Sequence, residues 1–293
     1  MNRQAGWHAL LENCRLCPHR CGVNRLQGER GTCRAGAELM VSSAGPHFGE
    51  EEPLVGSLHE GSGTVFLTHC NLRCVFCQNY DISHLGIGET WSGEKLAGTL
   101  LALQKRGCLN VNLVTPTHYA PQLVTALQIA KDRGLRVPVI WNCGGYEDAE
   151  IIGRLKGVVD IYMPDFKFGS NQAGAKYCNA SDYTDQCRRA LKEMHRQVGD
   201  LELDDRGRAR RGLLVRHLVM PGEEAASRQV MEFLAREISR DTWVNIMDQY
   251  RPAGDAGGHP SIRRRPTAAE VEQVLNIARD MGLHRGFDGF VGA

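Results

Sequence analysis

Several absences narrow this chain before any motif is considered. No stretch of its 293 residues stays apolar for the roughly 18 positions that a membrane-spanning helix needs. The polar start, Met1-Asn2-Arg3-Gln4, is not that of a secretory signal peptide. Neither sign of charge is in excess, since 35 Lys and Arg face 34 Asp and Glu. That balance sets up no global field to draw nucleic acid or an anionic membrane, and neither is expected as a partner. Together these absences lead us to expect a cytoplasmic protein. No long linker marks off a second catalytic domain, and only a leader and a Gly-, Pro- and Arg-rich stretch at 252–266 interrupt the pattern. A single α/β barrel reaches this length.

Cysteine, by contrast, is abundant. There are eleven, an odd number, and seven fall in two tight clusters. In a reducing compartment such clusters argue for metal rather than disulfides. Cys108, Cys143, Cys178 and Cys187 read as small buried residues. The first cluster, Cys14, Cys17, Cys21 and Cys33, lies in a leader over residues 1–60 and is punctuated by Gly22, Gly28 and Gly31. Four thiols close a complete site, structural or electron-carrying, and spacing alone leaves zinc and iron–sulfur open. The leader ends through Glu50-Glu51-Glu52, which reads first as a solvated loop, with a substrate-facing role as the alternative because the run lies close to the first strand.

The second cluster is Cys70-Asn71-Leu72-Arg73-Cys74-Val75-Phe76-Cys77, directly after the apolar run 64–68. A cubane iron–sulfur cluster takes four cysteines. Three leave one iron without a protein ligand, as a catalytic zinc keeps one position free. A zinc knuckle, or a non-catalytic metal-binding protein with zinc at both cysteine sets, is the competing reading.

From residue 64 onward, short β-branched runs alternate with helical periodicity. Strands are expected at 64–68, 110–114, 137–142, 158–163, 213–219 and 243–247. Helices are expected from Ser92 to Gly107, from Pro121 to Gly134, over 147–156 and from Asp182 to Gly199. Two more follow, one carrying Val230, Phe233, Leu234 and Ile238, the other opening on the capping box Thr267–Glu270. The charged turn Asp204–Arg211 reads as a solvated hairpin. Six such units with right-handed crossovers make a parallel sheet, either doubly wound or an incomplete barrel.

Chemistry in parallel α/β folds collects at the carboxyl ends of strands. There the sequence offers the cysteine loop, Thr115-Pro116-Thr117-His118, Asn142-Cys143-Gly144-Gly145-Tyr146, Asp165-Phe166-Lys167 and Asp248-Gln249-Tyr250-Arg251. On 213–219, Arg216 and His217 point to opposite faces. One of them faces the interior, and both are catalytic candidates beside Asp165 and Lys167.

The spacing C-x3-C-x2-C with Phe76 before its last cysteine resembles the signature of the radical S-adenosylmethionine (SAM) enzymes. The strings Cys14-Arg15-Leu16-Cys17-Pro18, Asn112–His118, Asp160–Lys167 and Asn245–Pro252 are similar to a bacterial and archaeal group of that superfamily related to pyruvate formate-lyase activating enzyme. The resemblance implies a partial (β/α)6 TIM-like barrel over 61–293, behind the cysteine-bearing extension 1–60. It implies a 4Fe–4S cluster on Cys70, Cys74 and Cys77, with SAM on the open iron. Reduction would cleave SAM to methionine and a 5′-deoxyadenosyl radical that abstracts hydrogen. Phe76, Thr115, Thr117, His118, Asn142, Asp165 and Lys167 would contact the cofactor. Thr115–His118 departs from the Gly-Gly-Glu segment many members use for the amino group of SAM. The implied partners are an electron donor such as flavodoxin or ferredoxin and a glycyl-radical protein; a small molecule or peptide is the alternative substrate.

Overall fold

Two-residue periodicity on short apolar runs, with capped helical segments between them, gives an alternating architecture in the computed structural model. It describes residues 3–58 and 60–287. Met1, Asn2, His59 and the end of the expected barrel region, 288–293, lie outside the described residues. The elements run α1 (Arg3–Glu12), β1 (Leu39–His47), α2 (Glu52–Val55), β2 (Ser62–Leu67), α3 (Tyr80–Ser83), β3 (Glu89–Trp91) and α4 (Gly93–Lys105). Next come β4 (Val111–Val114), α5 (Ala120–Asp132), β5 (Val139–Cys143), α6 (Ala149–Arg154), β6 (Ile161–Pro164), α7 (Asn171–Cys178) and α8 (Tyr183–Val198). The chain ends with β7 (Glu202–Leu203), β8 (Ala209–Leu218), α9 (Ser227–Phe233), β9 (Trp243–Met247) and α10 (Ala268–Asp280).

Strands β2, β4, β5, β6, β8 and β9 pair in parallel in that order. No pairing joins β9 to β2 among the described residues, so the barrel is open. The expected partial (β/α)6 barrel is the fold found. Ser92 caps α4 by accepting from the Lys95 N–H, and Thr267 and Glu270 form the expected capping box of α10. The charged turn after β7 folds back antiparallel onto β8, as the hairpin reading required.

Several elements were not expected, among them α1, β1 and α7. In the leader, α1 and β1 form, and β1 runs antiparallel along β2, covering its free edge. Gly45 and Pro46 disguise β1 in the sequence, and Pro is tolerated there because the strand is peripheral. Helix α7 is short, and Ser170 caps it by accepting from the Ala173 N–H. Among the described residues no helix is long and apolar enough to cross a membrane.

The outer faces of the strands pack against the helices in one large apolar core. A second, smaller cluster fills the lumen toward the amino ends of the strands, built from Leu54, Ile140, Ile161, Met163 and Leu214 with Trp243 against it. Alternation then brings a polar layer into the lumen above it: Asn112 on β4, Asn142 on β5, Arg216 on β8 and Asn245 on β9.

Candidate active site

The three-cysteine loop leaves β2 at the mouth of the lumen and is held from several sides. The Thr68 N–H donates to Met40 O of β1 at 3.1 Å. Arg73 and Val75 donate their N–H groups to Cys178 O (3.2 Å) and Tyr177 O (2.9 Å) at the end of α7. Asn71 donates to Tyr146 O at 2.6 Å, and His19 of the leader lies 2.8 Å from Asn71 O. Phe76 is buried, edge-on to Phe168 and Tyr250, with ring centroids 6.1 and 5.8 Å away. It anchors the loop through aromatic packing.

The thiols are mutual neighbours. Burial pushes Cys70 and Cys77 up, and the charge of Cys74 adds to the rise in both. Cys74 is held down by a hydrogen bond from Cys178, whose sulfur is 3.1 Å away. Lys167 favours the thiolate at all three positions. Among the described residues no three His, Cys, Asp or Glu side chains group tightly enough to hold one metal ion. A cubane would offer each of the three thiolates its own iron. Three thiols with a cation beside them fit an anionic iron–sulfur centre.

Below the loop lies a network of charges that the strands turn inward. Lys167 Nζ is 2.5 Å from Asp165 Oδ2, and Arg216 Nε is 2.9 Å from Asp165 Oδ1. Arg216 also donates to Asn142 Oδ1 at 2.7 Å and lies 3.6 Å from Glu50 Oε2. Burial works to raise Asp165, but the Arg216 and Lys167 cations outweigh it and hold the carboxyl below its usual range. Burial likewise opposes the charges of Lys167 and Arg216, and the anions around each, Asp165 foremost, together outweigh it. Glu50 goes the other way: burial raises it more than Arg216 lowers it.

Asp165, Lys167, Arg216 and Asn142, read from the sequence as candidates, are thus brought together. His217 is not among them, which corrects its reading as a catalytic candidate. It is fully buried on the helix side of β8, 2.7 Å from Phe166 O and 2.8 Å from Ser227 Oγ, and burial pushes it down to about 4. His118 places Nε2 2.8 Å from Thr68 O, and burial lowers it to about 3, so it is neutral. Thr117 donates to Glu147 Oε1 at 2.5 Å, and the Thr115 N–H donates to Asn142 O at 2.8 Å. Tyr250 is buried and donates to Ile262 O at 2.6 Å, whereas Asp248 and Arg251 are exposed. At Gly144 a Cβ would meet Leu72 at 2.8 Å, and at Gly145 it would meet Asp165 O at 2.2 Å. The glycine pair therefore lets three loops approach one another.

The sequence reading missed Asn112, Asn245, Glu147 and Cys178, and it ranked Glu50 and Glu51 as solvated ahead of substrate-facing. Asn112 and Asn245 had a signal, since an asparagine inside an otherwise apolar strand marks a polar inward layer. Glu50 and Glu51 had only their closeness to the first strand, which an acidic run's usual solvated reading outranked. Glu50 accepts from Asn112 (3.1 Å) and Glu51 from Asn245 (2.7 Å), so the loop enters the lumen instead of lying on the surface.

In the leader, Cys14, Cys17 and Cys33 are buried and Cys21 is half-buried. Burial, and then the charges of Cys33, Cys14 and Cys21, push Cys17 well up. The four thiols therefore share one neighbourhood. Arg20, within this knuckle, pairs with Asp148 at 2.8 Å.

No protein-family model matches the chain. Over 288 residues it is 34% identical to the uncharacterized protein MJ0674 of Methanocaldococcus jannaschii, covering 95% of this chain and 78% of that protein. The chain belongs to the family of that archaeal protein. Its barrel is open, with C-x3-C-x2-C directly after the first parallel strand. Among solved structures it is similar to HydG, a maturase of the FeFe hydrogenase (TM-score 0.49, 13% identity, 74% of this chain and 48% of that one). Methylornithine synthase PylB gives a TM-score of 0.47 at 14% identity, covering 73% of this chain and 60% of that one. The structure of anSMEcpe with bound AdoMet gives 0.47 at 9% identity, over 73% and 55%. The chain spans about half to three-fifths of the length of these structures. Likenesses at these scores add nothing about function.

Proposed function

We propose that this protein is a radical SAM enzyme, with Cys70, Cys74 and Cys77 holding a 4Fe–4S cluster and SAM bound at the iron they leave open. The observation that carries the reading is a three-thiol loop fixed at the mouth of an open barrel, directly beside a lumen of buried, mutually neutralised charges. A cluster and SAM together supply reductive cleavage of the sulfonium and hydrogen-atom abstraction, chemistry that no side chain performs alone. This chain's residues do the rest. Lys167 places a positive charge beside the thiols, Asp165 fixes that amine, and the Arg216 fork ties Asp165 to Asn142. Cys178 donates to Cys74, a contact of the kind that tunes a cluster's potential.

The substrate enters from a cavity of about 810 Å³ along β9, lined by Glu50, Glu51, Arg216, Asn245 and Met247. This volume accommodates a small molecule or a few residues of peptide, including a glycine-bearing loop of a partner protein, so an activase role fits within it. Electrons come from a flavodoxin or ferredoxin. Cys14, Cys17, Cys21 and Cys33 form a second site, zinc or iron–sulfur, and the His19 and Arg20 contacts seat it against the cluster loop and Asp148.

Iron, sulfide and zinc counts on anaerobically reconstituted protein test both sites. We expect a charge-transfer absorbance that SAM perturbs and that a Cys70→Ala, Cys74→Ala, Cys77→Ala triple variant lacks. The triple variant should keep the leader's metal, and Cys17→Ser should lose it. A triple variant with the full iron–sulfur content and spectrum would defeat the reading.

A further inference from the structure

The open seam of the barrel is bridged by residues 49–52, the acidic run between β1 and α2. Its carboxylates line the substrate cavity and are not equally engaged. Glu50 is bonded by Asn112 at 3.1 Å and faces Arg216 at 3.6 Å. Glu51 accepts from Asn245 at 2.7 Å through Oε1, but its Oε2 is buried and has no partner. Asn112, fully buried and aimed into the lumen at Glu50, likewise has an Oδ1 with no partner. Two buried acceptors therefore face the same lumen without donors. A buried acceptor without a donor loses the full cost of its desolvation, most of all when it is charged.

The cations on the cavity wall are already engaged. Arg216 is bonded to Asp165 and Asn142, and Glu50 lies 3.6 Å from it. Arg285 donates to Leu201 O at 2.7 Å and Asp241 O at 3.0 Å, and lies over the Trp243 ring. An anionic ligand would meet Glu50, Glu51 and Glu52 together. A ligand without a donor would leave Glu51 Oε2 unpaired. Beyond the carboxylates the wall turns apolar at Trp243, Met247 and Phe287, which suits a carbon chain behind the charge.

We infer that the substrate of this site is a cationic amine, held at Glu51 Oε2 and Asn112 Oδ1 with its carbon chain along β9. The inference rests on the radical SAM reading for its reaction and adds the class of molecule on which that reaction acts. A protonated primary amine brings three donors and a charge that strengthens each bond to a carboxylate, whether it belongs to a free amine or to a lysine side chain.

The test is calorimetric titration of the cluster-loaded full chain with 1,4-diaminobutane, N-acetyl-lysine methylamide, 1,4-butanediol and succinate. The diamine and the lysine derivative distinguish a free amine from a peptide, and at least one of them should bind. Diol and succinate should give no heat. Glu51→Gln should weaken amine binding by roughly ten- to a hundredfold, the range of a charged hydrogen bond, and Glu51→Asp should retain most of it. Should the glutamine variant not fold, the aspartate variant and the four-ligand series on the unaltered chain decide. Equal binding of diol and diamine, or unchanged amine affinity in Glu51→Gln, would overturn the inference. So would a parallel loss of SAM affinity in that variant, which would assign Glu51 to the ammonium of SAM. SAM cleavage without amine binding defeats this inference alone, whereas amine binding without SAM cleavage defeats the reading on which it rests.

Discussion

Glu147 is buried with its carboxyl against Thr117, and burial pushes it up to about 8. An unfolded chain ionises a glutamate near about 4.3. Between those values the folded protein keeps a proton that the unfolded chain has lost. The stability this group contributes is full below the unfolded value and declines as pH rises through the interval toward the folded one. Glu147→Gln removes the titration and should flatten stability against pH between about pH 5 and 8. Urea midpoints across that range check it, and an unchanged slope would contradict the assignment. Arg216 makes a second residue-scale case, because removing it leaves Asp165 with Lys167 alone and takes the guanidinium away from Glu50. Arg216→Ala should cost on the order of 3 kcal/mol in denaturant unfolding. Arg216→Lys should recover only part of this, since an ammonium cannot span Asp165 and Asn142 as the fork does. Arg216 and Asp165 were legible in the sequence, one from strand alternation and the other from its place after a strand. Glu50 and Glu51 were not, because nothing local distinguishes an acidic run in water from one drawn into a lumen. His217 misled because alternation says that one of two neighbours faces inward without saying which.

At the scale of the element, the loop after β5 depends on a residue without a side chain. Gly145 has φ +80°, and a Cβ there would sit 2.2 Å from Asp165 O and 2.9 Å from the Cys187 sulfur. Backbone cannot give way as a flexible side chain can. Gly145→Ala should therefore lower stability by about 2 kcal/mol or more. Thermal unfolding measures this, and a melting temperature equal to that of the unaltered chain would contradict it. The parallel strands and their helices were legible because β-branched runs, capping residues and terminal glycines agreed. Ser92 and Thr267 cap where the sequence placed them. Strand β1 was hidden because Ser42, Ser43, Gly45 and Pro46 dilute its apolar residues. It forms because β2 offers an edge and Leu39 and Val41 bury against the core. That pairing is tertiary, so no local propensity announces it.

For the whole molecule, the leader is part of the barrel's construction. Its β1 covers the edge of β2, and Arg25 donates to His118 O at 2.6 Å and to Gly36 O. His19 and Arg20 tie the four-cysteine segment to the three-cysteine loop and to Asp148. A chain beginning at residue 61 would expose the edge of β2 and the apolar faces that β1 and α1 cover, and an exposed edge strand is an aggregation site. Such a truncation should express as insoluble material, read as the soluble fraction after lysis. A soluble, cooperatively melting product would show the leader to be dispensable. The central claim is tested most directly by release of 5′-deoxyadenosine from SAM, measured by chromatography on anaerobic, cluster-loaded protein given dithionite. The unaltered chain should release it together with methionine, and Cys74→Ala should release none. A fully loaded protein that leaves SAM intact under strong reductant would contradict the account.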